Sequence, residues 1–214
     1  MNRAEAAPRA YRVFSFLFRW YFLLYHRLRV EGVENIPETG GCLVACNHAS
    51  YLDPPAIGCM VRHRVFRFVA RDTLWKGRFG SWFFRVTRCI PISRGTGDLG
   101  AMRAVLKTVK AGDLVALFPE GTRSEDGRLG SAKPGIGFLV ARAAAPLVPV
   151  AIIGSHAAFG KGRRFMRPTR LLVRYGRPIP PSELPTIDDP KPSYEAISAF
   201  VMDKIRELMD ESEG

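Results

Sequence analysis

Apolar residues in this chain fall into two kinds of run. Short stretches, Cys42–Cys46, Leu114–Leu117, Leu147–Ile153, which proline interrupts, and the segment 171–175, have the length and composition of buried strands. Longer stretches space their apolar residues three and four apart and predict helices. Within 98–110 these are Leu99, Met102, Val105, Leu106 and Val109, with Asp98 as N-cap and Gly112 just beyond the end. A second helix is expected over 137–144. A third, carrying Tyr194, Ile197, Phe200, Val201, Ile205 and Leu208, follows the proline-rich stretch 178–192. Strands alternating with helices predict one α/β domain, a mostly parallel or mixed central sheet flanked by helices.

Prolines refine two of these elements. Asp53-Pro54-Pro55 reads as an N-cap followed by proline at the first helical position, so the strand ending near Asn47 turns directly into a helix. Pro149 stands inside the run Leu147–Ile153, and its missing N–H predicts an edge strand or a bulge there, a structural role.

The segment 11–30, YRVFSFLFRWYFLLYHRLRV, is different. Val13, Phe16, Leu17, Trp20, Tyr21 and Leu24 recur at helical spacing while Phe14, Phe18 and Phe22 occupy another face, so this helix is apolar nearly all round apart from Ser15 and Arg19. It is too short and too interrupted for a membrane span, which takes roughly 20 predominantly apolar residues. Aromatic rings bracketed by Arg3, Arg9, Arg12, Arg27 and Arg29 suit the bilayer interface. The expectation is monotopic attachment by residues 1–30, an amphipathic membrane-associating helix, with 31–214 as the catalytic domain. A helix packed on that domain is the alternative. A cleaved leader fits poorly, since the segment carries Trp and Arg and no small-residue cleavage site follows.

Composition adds a sign to this picture. The 214 residues carry 32 Lys and Arg against 20 Asp and Glu, a formal charge of +12, and are 47% hydrophobic, enough for one sizeable core. Such an excess of cations favours polyanions, and the basic aromatic segment directs it to an anionic membrane surface rather than to nucleic acid. A second group, Arg62, Arg64, Arg67, Arg71, Lys76 and Arg78 among Phe66, Phe68, Trp75, Phe79, Trp82, Phe83 and Phe84, either extends that surface or is the solvated side of a strand and a helix. Cys42, Cys46, Cys59 and Cys89 lie mostly in apolar runs without Cys-x-x-Cys spacing, the pattern of reduced, buried thiols on a cytoplasmic-facing protein. No metal or cofactor is expected.

Candidate chemistry collects where strands end. His48 follows the first run, and Asp53 stands five residues later. On a helix such positions would point about 140° apart. Across a strand-to-helix turn the imidazole and carboxylate can meet, as a general base and the partner that fixes its tautomer. A helix cap beside an ordinary loop histidine is the competing reading. After Leu114–Leu117 comes Phe118-Pro119-Glu120-Gly121-Thr122-Arg123-Ser124. Gly121 permits close backbone approach, Thr122 offers a hydroxyl and Arg123 a planar fork suited to phosphate; the bland alternative is a surface turn with a Glu–Arg pair. Arg94 closes a further apolar stretch, Cys89-Ile90-Pro91-Ile92-Ser93-Arg94. Lys133, in Lys133-Pro134-Gly135, is either a phosphate contact or a solvated loop lysine. Gly95-Thr96-Gly97-Asp98-Leu99-Gly100 satisfies the dinucleotide fingerprint, yet the acidic residue expected about 20 positions on falls near Glu120, in a loop with a better account. These glycines read as a turn.

Four blocks, 48–53, 90–94, 118–124 and 148–150, occur in the order found in glycerolipid acyltransferases of the lysophosphatidic acid acyltransferase type, which the chain resembles over 42–153. The resemblance implies that His48, held by Asp53, takes the proton from a glycerol hydroxyl whose oxygen attacks an acyl thioester, with no covalent acyl-enzyme. It implies that Arg94, Gly121, Thr122 and Arg123 bind the acceptor's phosphate and that Glu120 positions their loop or an acceptor hydroxyl. The partners implied are a lysophospholipid acceptor and an acyl-CoA or acyl carrier protein thioester as donor, with phosphatidic acid formed at the cytoplasmic face of a membrane. Commoner versions of the second block carry an acidic residue where this chain has Ser93, so a more positive anion site is expected. The alternatives are another acceptor, such as glycerol-3-phosphate, a different lysophospholipid or a lyso-aminolipid, and a catalytically silent module that binds anionic lipid. The oligomeric state has no signature in the sequence.

Overall fold

The apolar runs 42–46, 114–117 and 147–153 lie side by side in the middle of a sheet because both of their faces are covered. The structure, a computed structural model, describes residues 8–71, 77–92, 97–133, 135–185 and 193–211. Among these, seven strands form one sheet: β1 (Arg29–Glu31), β2 (Cys42–Cys46), β3 (Phe66–Arg71), β4 (Ile90–Ile92), β5 (Leu114–Leu117), β6 (Leu147–Ile153) and β7 (Leu172–Tyr175). Their order is β1-β7-β6-β2-β5-β3-β4, and every pairing is parallel except that of β6 with β7. All positions of β2 and β5 are buried, as strands covered on both sides require.

The helices are α1 (Arg9–Tyr25), α2 (Asp53–Gly58), α3 (Gly77–Thr87), α4 (Gly97–Lys110), α5 (Ile136–Ala143), α6 (Ser155–Phe159) and α7 (Tyr194–Asp210). Alternation along β2 divides the core. Cys42, Val44 and Cys46 face a cluster with Phe22 of α1 and Ala56 and Ile57 of α2, while Leu43 and Ala45 face Val105 and Val109 of α4, Leu139 and Val140 of α5, and Ile197, Val201 and Ile205 of α7. The apolar spacing read along 98–110, 137–144 and 194–208 is thus the packing surface of one side of the sheet.

Two expectations are corrected and a third is narrowed. Asp98 lies inside α4, which begins at Gly97, rather than capping it. Asp53 is the first residue of α2, with Leu52 as the cap residue, and the prolines occupy the next two positions. Its carboxylate turns back into the preceding loop instead of bonding its own helix. Of the two settings expected for Pro149, the edge is excluded, since β6 is an interior strand paired with β2 and β7, and the bulge is found. Pro149 is tolerated because the pairing is irregular there. From Leu147 to Val150 the strand advances three residues while the opposing segment advances four, from Ile179 to Tyr175. The ladder is kept on either side of the irregularity by Leu147 N–H to Ile179 and by Gly176 N–H to the Pro149 carbonyl (2.8 Å).

One face of α1 packs inward through Phe18, Tyr21 and Phe22, and Arg19 donates to the Met60 carbonyl (3.0 Å). The opposite face leaves Val13, Phe16, Leu17, Trp20 and Leu24 in solvent, Leu24 at 73% exposure. No helix among the described residues is long and apolar enough to cross a membrane. Of the second basic group, Arg64 donates to the Pro37 and Gly112 carbonyls and Arg67 pairs with Asp113, so these two brace loops of the domain.

Candidate active site

The site begins where β2 runs out of apolar residues. Asn47 is buried and its side chain continues the ladder: Nδ2 donates to the Ile152 carbonyl (2.9 Å) and Oδ1 accepts from Ile152 N–H (2.8 Å). Leaving either group unpaired in the core would cost about 1–3 kcal/mol. The end of β2 is therefore pinned to β6, and His48 starts from a fixed point at the carboxyl edge of the parallel strands, where open α/β sheets bind ligands.

His48 Nδ1 lies 2.8 Å from Asp53 Oδ2, and the same oxygen accepts the Ala49 and Ser50 N–H groups, each at 2.7 Å. Asp53 is fully buried, and three donors on one oxygen hold its carboxylate in a single orientation. A carboxylate accepts only, so Nδ1 carries the proton and Nε2 carries the basic lone pair. Among the described residues Nε2 has no hydrogen-bond partner. The imidazole lies flat on Phe118, ring centroids 4.0 Å apart and 21° between planes, and Phe118 stacks in turn on Phe68 and Phe68 on Phe66. Hydrogen bond and ring floor together leave the base one pose.

The loop after β5 is tied to the His48 peptide from both sides. Glu120 Oε1 accepts His48 N–H (2.8 Å), Ser124 N–H donates to the His48 carbonyl (2.7 Å), and Glu120 Oε2 accepts Gly130 N–H (3.0 Å). Burial pushes the Glu120 carboxyl upward from its ordinary pKa, and these two N–H bonds pull it back. Gly121 turns the chain with φ of 66°, and a Cβ there would come within 2.9 Å of Lys133 Cγ, so only glycine fits beneath the lysine stem. Lys133 itself is anchored by its N–H to the Pro119 carbonyl (2.8 Å). The Arg123 guanidinium lies 3.5 Å above the Tyr51 ring, which fastens the tip of this loop to the His48 loop by a cation–π contact. A polarised base thus stands next to a loop with exposed Thr122 and Lys133 and a stacked Arg123, an arrangement able to deprotonate a hydroxyl carried by an anion.

The acyltransferase family model matches residues 27–153, which include both loops. The chain belongs to the acyltransferase family. It is similar to the 1-acyl-sn-glycerol-3-phosphate acyltransferase of Bacillus subtilis, 25% identical over 185 residues that cover 85% of this chain and 87% of that one. It is 28% identical over 134 residues to a chloroplastic 1-acyl-sn-glycerol-3-phosphate acyltransferase of Brassica napus, covering 61% of this chain and 38% of the relative. The chain thus spans well under half the length of that plant relative. In three dimensions it is similar to the 1-acyl-sn-glycerophosphate acyltransferase PlsC of Thermotoga maritima, with a TM-score of 0.74, 27% identity, and coverage of 94% of this chain and 79% of the other.

Within this acyltransferase domain, His48, Asp53, Glu120, Gly121, Thr122 and Arg123 come together on two adjoining loops, with Lys133 alongside. Pro149 sits in the sheet opposite Ala45. Arg94 lies outside the described residues, as does Ser93. Sequence reasoning missed Asn47, Phe118 and Tyr51 as parts of the site. A polar residue ending a five-residue apolar run signalled the first, while stacking partners from separate loops leave no local signal. Cys46, directly behind the site, stays a neutral thiol, because burial and then the Asp53 and Glu120 carboxylates push its pKa well above the ordinary value. Such a thiol serves neither as nucleophile nor as metal ligand.

Proposed function

We propose that the chain moves a fatty acyl group from an acyl-CoA or acyl carrier protein thioester to the sn-2 hydroxyl of 1-acyl-glycerol-3-phosphate, giving phosphatidic acid in phospholipid synthesis. The carrying observation is the His48–Asp53 pair, whose bonded Nδ1 leaves Nε2 as the base. The acceptor hydroxyl gives its proton to Nε2 as its oxygen attacks the thioester carbonyl. The tetrahedral intermediate then expels the thiolate, which takes that proton from the imidazolium, so no cofactor takes part. Arg123, the Gly121 and Thr122 turn, Lys133 and Arg94 hold the acceptor phosphate, and Glu120 fixes their loop against the base. The names borne by the Bacillus subtilis and Thermotoga maritima relatives support this acceptor.

The reaction takes place at a membrane surface, on its cytoplasmic face, with the domain attached through the N-terminal segment 1–30. The exposed stripe Val13, Phe16, Leu17, Trp20 and Leu24 supports that attachment. Phe22 and Leu28 belong to the same core cluster as β2, which makes the attachment rigid.

The test is release of free CoA thiol from palmitoyl-CoA, with and without lysophosphatidic acid in mixed micelles, by the wild type and by His48→Ala. Acceptor-dependent release, reduced by about 10²–10⁴-fold in the variant, is expected from loss of a general base. Release unchanged in His48→Ala would remove His48 from the chemistry.

A further inference from the structure

The segment 161–170, Lys-Gly-Arg-Arg-Phe-Met-Arg-Pro-Thr-Arg, carries five cations and no acidic residue, and the sequence motifs do not involve it. It leaves α6 as an irregular loop in which Phe165 is 73% and Met166 46% exposed. Arg164, Arg167 and Arg170 are exposed as well, and among the described residues none of the three has an acidic partner; Lys161 alone pairs, with Glu125. The Arg164 guanidinium stands 5.6 Å from the Phe165 ring centroid. Two large apolar side chains stand largely in solvent among arginines that have no acidic partner among the described residues. They are the composition of a surface that meets an anionic lipid headgroup layer.

Two further contacts locate this loop. The Tyr21 hydroxyl of α1 lies 3.3 Å from Met166 Sδ, and Tyr21 stacks on Tyr25, which is 42% exposed next to Leu24. The loop is therefore continuous with the unpartnered apolar face of α1. At its other end Gly160 forms a bridge with Ser50, and Ser50 Oγ donates to the Phe159 carbonyl (2.7 Å), so the loop springs from the turn that holds His48 and Asp53.

We propose that the loop 161–170 is a second membrane-docking element: Phe165 and Met166 enter the interface of an anionic bilayer beside α1, and Arg164, Arg167 and Arg170 gather its headgroups. This rests on the membrane attachment proposed above and adds a site that α1 does not contain. An acidic protein would match the charges, but it would leave the apolar continuity with α1 without a use. Two contact regions, one on the N-terminal helix and one beside the base, fix the orientation of the domain, which a single helix lying in the interface does not.

The experiment is cosedimentation of the full chain with vesicles of neutral phosphatidylcholine alone, or with anionic phosphatidylglycerol added, for four proteins: wild type, Phe165→Ser, Arg164→Gln/Arg167→Gln, and Leu17→Ser/Leu24→Ser in α1. All the substituted side chains are exposed, and unchanged circular dichroism and melting check the fold. Each cation facing an anionic surface is worth about fivefold in partitioning, so the double arginine variant should lose about 25-fold on anionic vesicles and little on neutral ones. Phe165→Ser should weaken binding to both. If the α1 variant releases the protein while both loop variants bind like wild type, the loop proposal falls and attachment by α1 stands. If wild type binds neither vesicle, both fall. Loop variants that bind vesicles like wild type but lose binding to an acidic carrier protein would reassign the loop to a protein partner.

Discussion

Replacing Asp53 by Asn removes a charge and almost no volume, and the structure sets the size of both effects. Asp53 Oδ2 accepts three hydrogen bonds, and Oδ1 is buried with no hydrogen-bond partner among the described residues. If the amide oxygen takes the place of Oδ2, three charge-assisted bonds become neutral ones at about 1 kcal/mol each, a loss of about 3 kcal/mol. For a chain of this length that lowers the melting temperature by about 6–12 °C. Turnover suffers separately, because the imidazolium formed during proton transfer loses its counter-charge. Unit charges about 4 Å apart at an effective dielectric constant of about 20 attract by about 4 kcal/mol, which corresponds to about 10³-fold in rate. Solvent access to His48 trims this to about 10²–10³-fold, in kcat rather than in the KM of the acyl donor. Thiol release and differential scanning calorimetry measure the two effects on one preparation. Asp53→Asn retaining more than about a tenth of the wild-type kcat would refute the assignment of Asp53 as the group that stabilises the charged base.

Glu120→Gln can accept from only one of the two N–H groups now bonded to the carboxylate, and its amide must oppose the other. Stability should fall by about 1–3 kcal/mol, and kcat should drop together with it because the carboxylate joins the His48 N–H to the Gly130 N–H and either loss loosens the loop against His48; wild-type kcat in a destabilised variant would show that the loop does not position His48. His26 is fully buried, with its ring between the Tyr21 hydroxyl (3.1 Å) and the Thr169 carbonyl (3.2 Å). Burial lowers its pKa from 6.5 and the Thr169 bond partly restores it. A histidine kept neutral by the fold contributes stability that is present above its unfolded pKa and lost as pH falls through the depressed folded value. Melting temperature should therefore decline on acidification below about pH 6.5, and less steeply in His26→Gln; parallel profiles would contradict this sign.

The fold was legible where burial is repetitive. Strands such as β2 and β5 are covered on both faces and so appear as unbroken apolar runs, and α4, α5 and α7 show their packing surfaces as helical spacing. What escaped depends on partners distant in the chain. β1 is three residues long, and only its pairing with β7 makes Arg29–Glu31 a strand. Asp53 obeys the composition rules of a helix cap, yet its carboxylate is claimed by the His48 loop, where three donors outbid the helix's own N–H groups. Pro149 is tolerated in an interior strand because the displaced register with the 176–179 segment removes the need for its N–H, and that register is not visible in the sequence. In the site, both members of the base pair were readable from one loop. The ring beneath His48 and the arginine fastened to Tyr51 were not, since each contact joins residues from loops far apart in sequence.

Phe118, which floors the His48 ring, belongs to the same loop as Thr122 and Arg123, and that loop also bonds both the N–H and the carbonyl of His48. Backbone changes that reshape the turn at Gly121 therefore retilt the imidazole with it. Side chains at the loop tip can change without moving His48, whereas insertions or deletions between Phe118 and Ser124 would shift its ring floor and both of its backbone partners at once.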